Sequence, residues 1–160
     1  MPRPCFEGAQ AGGYVKRHDP FMYFPSIAAD PRHCADVVPT RRLSADLERR
    51  SLPAFGWLTP DLCHSAHDCN LATADRHLSS LVPRIMRKLG TNGTLILTFD
   101  EGTGNAHGGG HVLTVIAHPG QQRARRVTGT YNHYSLLAAI ERHFNLPLLR
   151  NAQSSISLPF

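Results

Sequence analysis

The sequence predicts an α/β fold, and three observations predict it. Two short runs rich in β-branched and apolar residues, 94–99 and 112–117, flank a glycine-rich loop and read as strands buried on both faces. Ahead of them, Leu78, Leu81, Ile85 and Leu89 recur at helical spacing. Behind them, Leu136, Leu137, Ile140 and Phe144 give a last helix its inward face. Strands that alternate with helices define the class.

In chain order, residues 1–35 are rich in Gly, Pro and turn formers and show no clear regular element. Asp19-Pro20 and Phe24-Pro25 are expected to keep this region extended. Val37-Val38 is a candidate short strand. Ser44 is the expected cap of a helix over 45–50, which Leu52-Pro53 ends. Phe55-Gly56-Trp57-Leu58 reads as a strand stopped by Thr59-Pro60. The segment from Cys63 to Cys69 is a loop that holds His64, His67 and Asp68. Thr73 is the expected cap of a helix over 74–89, kinked or divided by Pro83 and closed by Gly90. The strand–loop–strand unit follows. Residues 121–126 form a basic, solvated connection. Asn132 or His133 starts the last helix, with His133 read as a cap, and the tail from Leu146 is irregular. No internal repeat is present.

The chain has 160 residues, enough for one domain with a core. Hydrophobic content of 41% against 18% charged makes it globular rather than disordered. No apolar run approaches a membrane span, and the stretch Met1-Pro2-Arg3-Pro4-Cys5 does not read as a signal peptide, having no apolar core behind a basic start. The formal net charge of +5 suits anionic partners. Aromatics do not interleave with the basic residues, which argues against a single-stranded nucleic-acid binder.

The four cysteines are Cys5, Cys34, Cys63 and Cys69. Without a C-x-x-C there is no zinc knuckle and no redox motif. Two disulfides in an oxidising compartment fit the even count. The pairing taken is Cys5–Cys34 with Cys63–Cys69, one of three possible; four buried thiols in a cytosolic protein are the alternative.

Asp100-Glu101 ends the first central strand, and His111 opens the second. Neighbouring residues on a strand point to opposite faces, so both acids converge only where the strand ends. Gly102, Gly104 and Gly108 to Gly110 end it there. Two carboxylates and a histidine make a site for a divalent metal ion. A solvated turn is the plain alternative.

A series of short motifs then resembles the phosphoesterase family, which includes secreted acid phosphatases and phospholipase C-type enzymes of the alkaline-phosphatase-like superfamily. The motifs are 1–5 with Cys5, 14–21 around His18, 58–63, His67-Asp68-Cys69, 98–102, Gly110-His111-Val112 and His133 to Leu137 with Ile140-Glu141. Order and spacing match over nearly the whole chain.

The resemblance implies an α/β/α sandwich of the alkaline-phosphatase-like type, with residues 1–160 the C-terminal part of a single domain that is incomplete at its N-terminus. It implies metal-assisted hydrolysis of phosphate esters by a hydroxyl nucleophile. The substrates implied are small monoesters, phosphoinositides or phospholipid head groups, with no specific nucleic acid. Asp100 and Glu101 would hold the divalent metal, and His111 would add a ligand or a phosphate contact. His67, Asp68 and His18 would bind phosphate or handle protons. The resemblance also implies a secreted or periplasmic protein.

Departures from the pattern accompany it. The family's early Glu-Asn metal element and its Ser or Thr nucleophile lie upstream of the Met1–Cys5 match. His64-Ser65 stands where Asn-Asp is usual, and His77 replaces a tryptophan. The expectation is a truncated phosphoesterase, a gene fragment or a diverged pseudo-enzyme, with the catalytic competence of this chain by itself left open. The alternative is a non-catalytic basic module that binds anionic lipid or nucleic acid.

Overall fold

A computed structural model describes residues 1–159. The chain divides into two compact units, the first Met1–Lys88 and the second starting at Leu89. Helices and small sheets are both present, and both sheets are two-stranded and antiparallel. Among the described residues, no helix is long and apolar enough to cross a membrane.

The first unit opens with a small hairpin, β1 (Gln10–Ala11) and β2 (Tyr14–Val15). Two 3-10 turns follow, Lys16–His18 and Pro20–Tyr23, and then two four-residue helices, α1 (Pro25–Ala28) and α2 (Pro31–Cys34). The segment expected to be extended is therefore a chain of turns. Phe24 before Pro25 is extended and Asp19 before Pro20 is kept out of the helical region, as proline requires, but each proline opens a helical turn at its first positions. Asp30 caps α2 by accepting from the Arg32 amide at 2.8 Å.

Helix α3 (Arg42–Arg49) starts ahead of Ser44, so Ser44 lies inside it and is not its cap. The Ser44 hydroxyl instead accepts from Arg84 at 3.0 Å. The candidate strands at Val37-Val38 and Phe55–Leu58 do not form. Neither run gains a partner strand, and a lone extended segment has nowhere to place its backbone hydrogen bonds.

Helix α4 (Leu71–Met86) begins earlier than expected because Asn70, not Thr73, caps it. The Asn70 side chain accepts from the Thr73 amide at 3.1 Å. Pro83 sits inside the last turn without dividing the helix. The helix closes at Arg87 in ordinary right-handed conformation, so Gly90 is not its cap. Its inward face carries Ala74, Leu78, Leu81 and Ile85, as the spacing predicts, with His77 among them. Val15, Met22, Cys34, Leu47 and Leu62 complete this unit's core. Both disulfides, Cys5–Cys34 and Cys63–Cys69, lie in it and follow the pairing taken from the sequence.

The second unit holds the hairpin of β3 (Leu95–Thr98) and β4 (Thr114–Ala117), with Leu95 opposite Ala117 and Thr98 opposite Thr114. These strands are not buried on both faces. Every β3 residue is partly exposed, and Thr114 and Val115 are open to solvent. The β-branched run reads as buried, but a two-stranded ribbon has too few neighbours to cover both its faces.

Helix α5 (His133–His143) starts with a capping box in which Asn132 and Ser135 exchange backbone-to-side-chain bonds. Asn132 is therefore the cap, not His133. The buried residues of α5 are Ser135, Ala138, Ala139 and Glu141, whereas Leu136, Leu137 and Ile140 are only half-buried. The tail forms a 3-10 turn at Arg150–Ser154 and returns to α5, where the Leu158 amide donates to the Ser135 carbonyl at 3.0 Å. Glu141 Oε2 accepts from the Leu149 amide at 3.3 Å.

Candidate active site

The first unit gathers His18, His67 and Asp68. His18 ends the 3-10 turn that leaves β2. Asp19 behind it accepts from the Tyr14 hydroxyl at 3.2 Å. Burial, then the Asp19 charge and that hydrogen bond, push the Tyr14 phenol up to about 12. Burial also raises the Asp19 carboxyl, against the Tyr14 bond that opposes it.

His67 and Asp68 lie on the loop closed by Cys63–Cys69. The amides of both donate to the Leu62 carbonyl, at 3.2 and 2.9 Å, and the Ser65 amide donates to that of Asp61 at 2.8 Å. Ala66, just before His67, adopts the left-handed conformation at φ 65°. The His67 ring centroid stands 5.3 Å from that of His18. Nδ1 of His67 donates to Asp68 Oδ1 at 2.7 Å, since a carboxylate only accepts. Both side chains are about half exposed. The carboxylate fixes the ring's tautomer, with the proton on Nδ1 and Nε2 left as the acceptor nitrogen of the neutral ring. That arrangement suits an imidazole that contacts an anion or passes a proton.

A second set on the same loop was not singled out by the sequence reading. Asp61 accepts from the amides of Cys63 and His64, at 3.1 and 2.9 Å, and from His64 Nδ1 at 2.9 Å. Burial pushes the Asp61 carboxyl up, but the His64 amide, the His64 ring and the Cys63 amide prevail and hold it below the usual carboxylate range. The other side of the His64 ring meets His77 of α4, with centroids 4.4 Å apart and planes 33° from parallel. The only signals in the sequence are the spacing of Asp61 and His64 and a lone histidine on an apolar helix face.

The second unit carries Asp100, Glu101 and His111, all exposed. Asp100 follows β3. The loop then closes on itself: the Gly102 amide donates to the Gly109 carbonyl at 2.6 Å. A Cβ on Gly102 would lie 2.5 Å from the His111 carbonyl oxygen, so only glycine permits this approach. His133 Nε2 donates to the Asp100 carbonyl at 2.8 Å and ties α5 to the end of β3. Among the described residues, no three His, Cys, Asp or Glu side chains gather as a set that holds a metal ion.

Residues 5–147 match the Phosphoesterase family. The chain is similar to an acid phosphatase of Aspergillus fumigatus, 26% identical over 161 residues that cover 93% of this chain and 36% of that protein. It is 28% identical to an acid phosphatase of Aspergillus niger, over 93% of this chain and 38% of the relative. It is 29% identical to a phosphate-repressible acid phosphatase of Penicillium chrysogenum, over 85% and 34%. It thus spans little more than a third of the length of these curated relatives. No solved structure matches it. With the family's pattern running through most of its length, from the first disulfide to beyond α5, the chain belongs to the phosphoesterase family.

Proposed function

We propose that this chain forms part of a phosphate-ester hydrolase of the acid phosphatase type and supplies the face that contacts phosphate and handles protons. The observation that carries the reading is the His67–Asp68 pair, held at 2.7 Å on a disulfide-closed loop with His18 beside it. His67, oriented by Asp68, serves the leaving oxygen or the phosphoryl oxygens, and His18 adds a second imidazole. Phosphoryl transfer depends largely on positioning and charge stabilisation, which histidines on a fixed loop supply. The names of the relatives and the family match support the reaction class.

A divalent ion belongs to the proposal, with Asp100, Glu101 and His111 as its ligands. Two carboxylates and an imidazole are donors that such an ion accepts, and when bound it would polarise phosphoryl oxygens. The described residues do not themselves assemble three ligands, so no step here runs through the ion. The proposal assigns the hydroxyl nucleophile to none of these residues. It includes an α/β/α sandwich to which both units belong, a secreted or periplasmic location, and monoesters, phosphoinositides or phospholipid head groups as substrates. A second reading, a module that binds anions without hydrolysis, draws on the exposed basic loop through Arg123, Arg125 and Arg126.

The test has two arms. Inorganic phosphate is titrated into the labelled chain while the His18 and His67 ring resonances are followed. Aryl phosphate hydrolysis is measured across pH with added divalent metal and with chelator. The reading expects phosphate to shift both rings and Asp68→Asn to weaken the effect. Rings indifferent to phosphate, together with no hydrolysis, would overturn it. Phosphate binding centred on the arginine loop would favour the second reading. Metal affinity unchanged in Asp100→Asn would remove the ligand assignment.

A further inference from the structure

The contact between His64 and His77 belongs to no part of the reaction described above, yet it joins the loop that bears His67 and Asp68 to the longest helix of the first unit. His77 stands on the inward face of α4 among Ala74, Leu78, Leu81 and Ile85, where an apolar side chain would fill the same space. Its Nε2 is buried and has no hydrogen-bond partner. Such a nitrogen costs free energy, and a further proton there would bury a charge without an acceptor. The polar ring in that position has one contact that a plain core residue would not need, the face of His64.

His64 is in turn fixed from its other edge. Both oxygens of Asp61 lie 2.9 Å from its Nδ1. Asp61 also holds the Cys63 and His64 amides, so the carboxylate, the ring and the loop backbone form one unit. The amides of Ser65, His67 and Asp68 bond back to Asp61 and Leu62, and the Leu62 amide donates to Gly13 in the β1–β2 turn. The loop is therefore pinned to the hairpin at Leu62 and leans on α4 through the two rings.

We propose that His77 is a positioning residue that holds the His67–Asp68 loop through its ring contact with His64 and releases it when its imidazole takes up a proton. The groups that act on His77 electrostatically are His64 and Asp61, both from the loop. A proton on His77 sets a positive charge against the His64 ring, whose polar edge is already committed to Asp61. Burial first, and His64 next, hold the His77 imidazole below the ordinary histidine range, with Asp61 opposing. The contact accordingly persists at neutral pH and fails in acid. The functional importance of the loop rests on the phosphatase reading; the latch itself does not.

Amide hydrogen exchange of the full chain tests this, with Ser65, His67 and Asp68 as reporters. In the wild type, exchange corrected for its intrinsic pH dependence is expected to rise by about tenfold between roughly pH 7.5 and pH 5. His77→Phe keeps a flat ring against His64 but cannot take a proton, so its loop should stay protected at both pH values. His77→Ala should exchange rapidly at both. A His77→Ala loop protected like the wild type would overturn the proposal. So would a His77→Phe loop that loosens in acid as the wild type does, a result that stands even where the alanine variant does not fold. Neither readout requires hydrolysis. A working latch in a chain that neither binds nor hydrolyses phosphate would remove the phosphatase reading alone.

Discussion

His18 and His67 come from distant parts of the chain, yet their rings stand 5.3 Å apart at a 59° tilt. The β1–β2 hairpin places the first, and the Cys63–Cys69 loop places the second. The His67 ring is bonded to the carboxylate of Asp68. Replacing Asp68 with Asn keeps the shape but removes the charge and turns one of the two acceptor oxygens into an NH2 donor, so the His67 tautomer is no longer fixed. Whatever phosphate-ester hydrolysis the wild-type chain shows should fall by about a hundredfold, the usual worth of an oriented acid–base group. The His67 ring nitrogen resonances should report a changed tautomer without substrate. A variant with wild-type rate and wild-type ring signature would show that Asp68 does not orient the histidine.

Gly13 lies where the hairpin meets this loop. A Cβ there would sit 3.0 Å from the Asp61 Cβ, closer than real Cβ contacts ordinarily come. Asp61 has no slack, because its carboxylate is bonded to His64 and Cys63. Gly13→Ala is therefore expected to cost about 1–3 kcal/mol, the range for overpacking. Denaturant unfolding measures the loss, and the His64 ring resonance should move with it. A midpoint equal to the wild type would mean that the hairpin shifts freely away from Asp61.

The parts legible in the sequence are those that local pattern alone determines. The central hairpin shows because two β-branched runs flank a glycine loop, and α4 shows because its apolar residues fall on one stripe. Burial of the strands is not legible. It depends on how many strands lie alongside, which the run itself does not encode. The start of α4 is misplaced because Asn70 and Thr73 are both good caps, and only the structure shows the Asn70 side chain accepting from Thr73. Phe55–Leu58 resembles a strand, yet Trp57 packs edge-on against Phe21 and donates to Thr59 at 2.9 Å. The His67–Asp68 pair is visible as neighbours in sequence. The Asp61–His64–His77 chain is hidden because its last member reaches the loop only through the fold.

At the second unit, the first turn of α5 supports the end of β3. Asn132 caps the helix, and His133 at its first position donates to the Asp100 carbonyl at 2.8 Å. Asn132→Ala should cost about 1 kcal/mol through the lost cap. Because the same turn carries His133, the amides around Asp100 and Glu101 should exchange faster as well. His133→Gln tests the link separately: it leaves the cap in place, so fraying of α5 should be absent while the strand end loosens. Unaltered exchange at Asp100 in both variants would mean that the bond does not hold the carboxylate turn.

The Tyr14–Asp19 bond predicts alkaline behaviour whose sign follows from the raised phenol. In the folded chain Tyr14 titrates at about 12, against 10 for a free phenol, chiefly through burial and then through Asp19. Below about pH 10 both folded and unfolded chains keep the proton, and stability does not vary with pH through this group. Between about 10 and 12 the unfolded chain loses it while the folded chain retains it. The unfolded state is thereby favoured, and the contribution of Tyr14 is lost as pH rises through that window. Tyr14→Phe should remove this part of the alkaline loss. It should also leave Asp19 without its hydroxyl donor, at a cost already present at neutral pH. Denaturant midpoints of both proteins at about pH 8 and about pH 11.5 check the sign. The wild type should be the more stable at the lower pH, with the gap narrowing at the higher. A gap that widens in alkali would mean that the phenol ionises more readily in the folded state, and that Asp19 does not hold its proton beside His18.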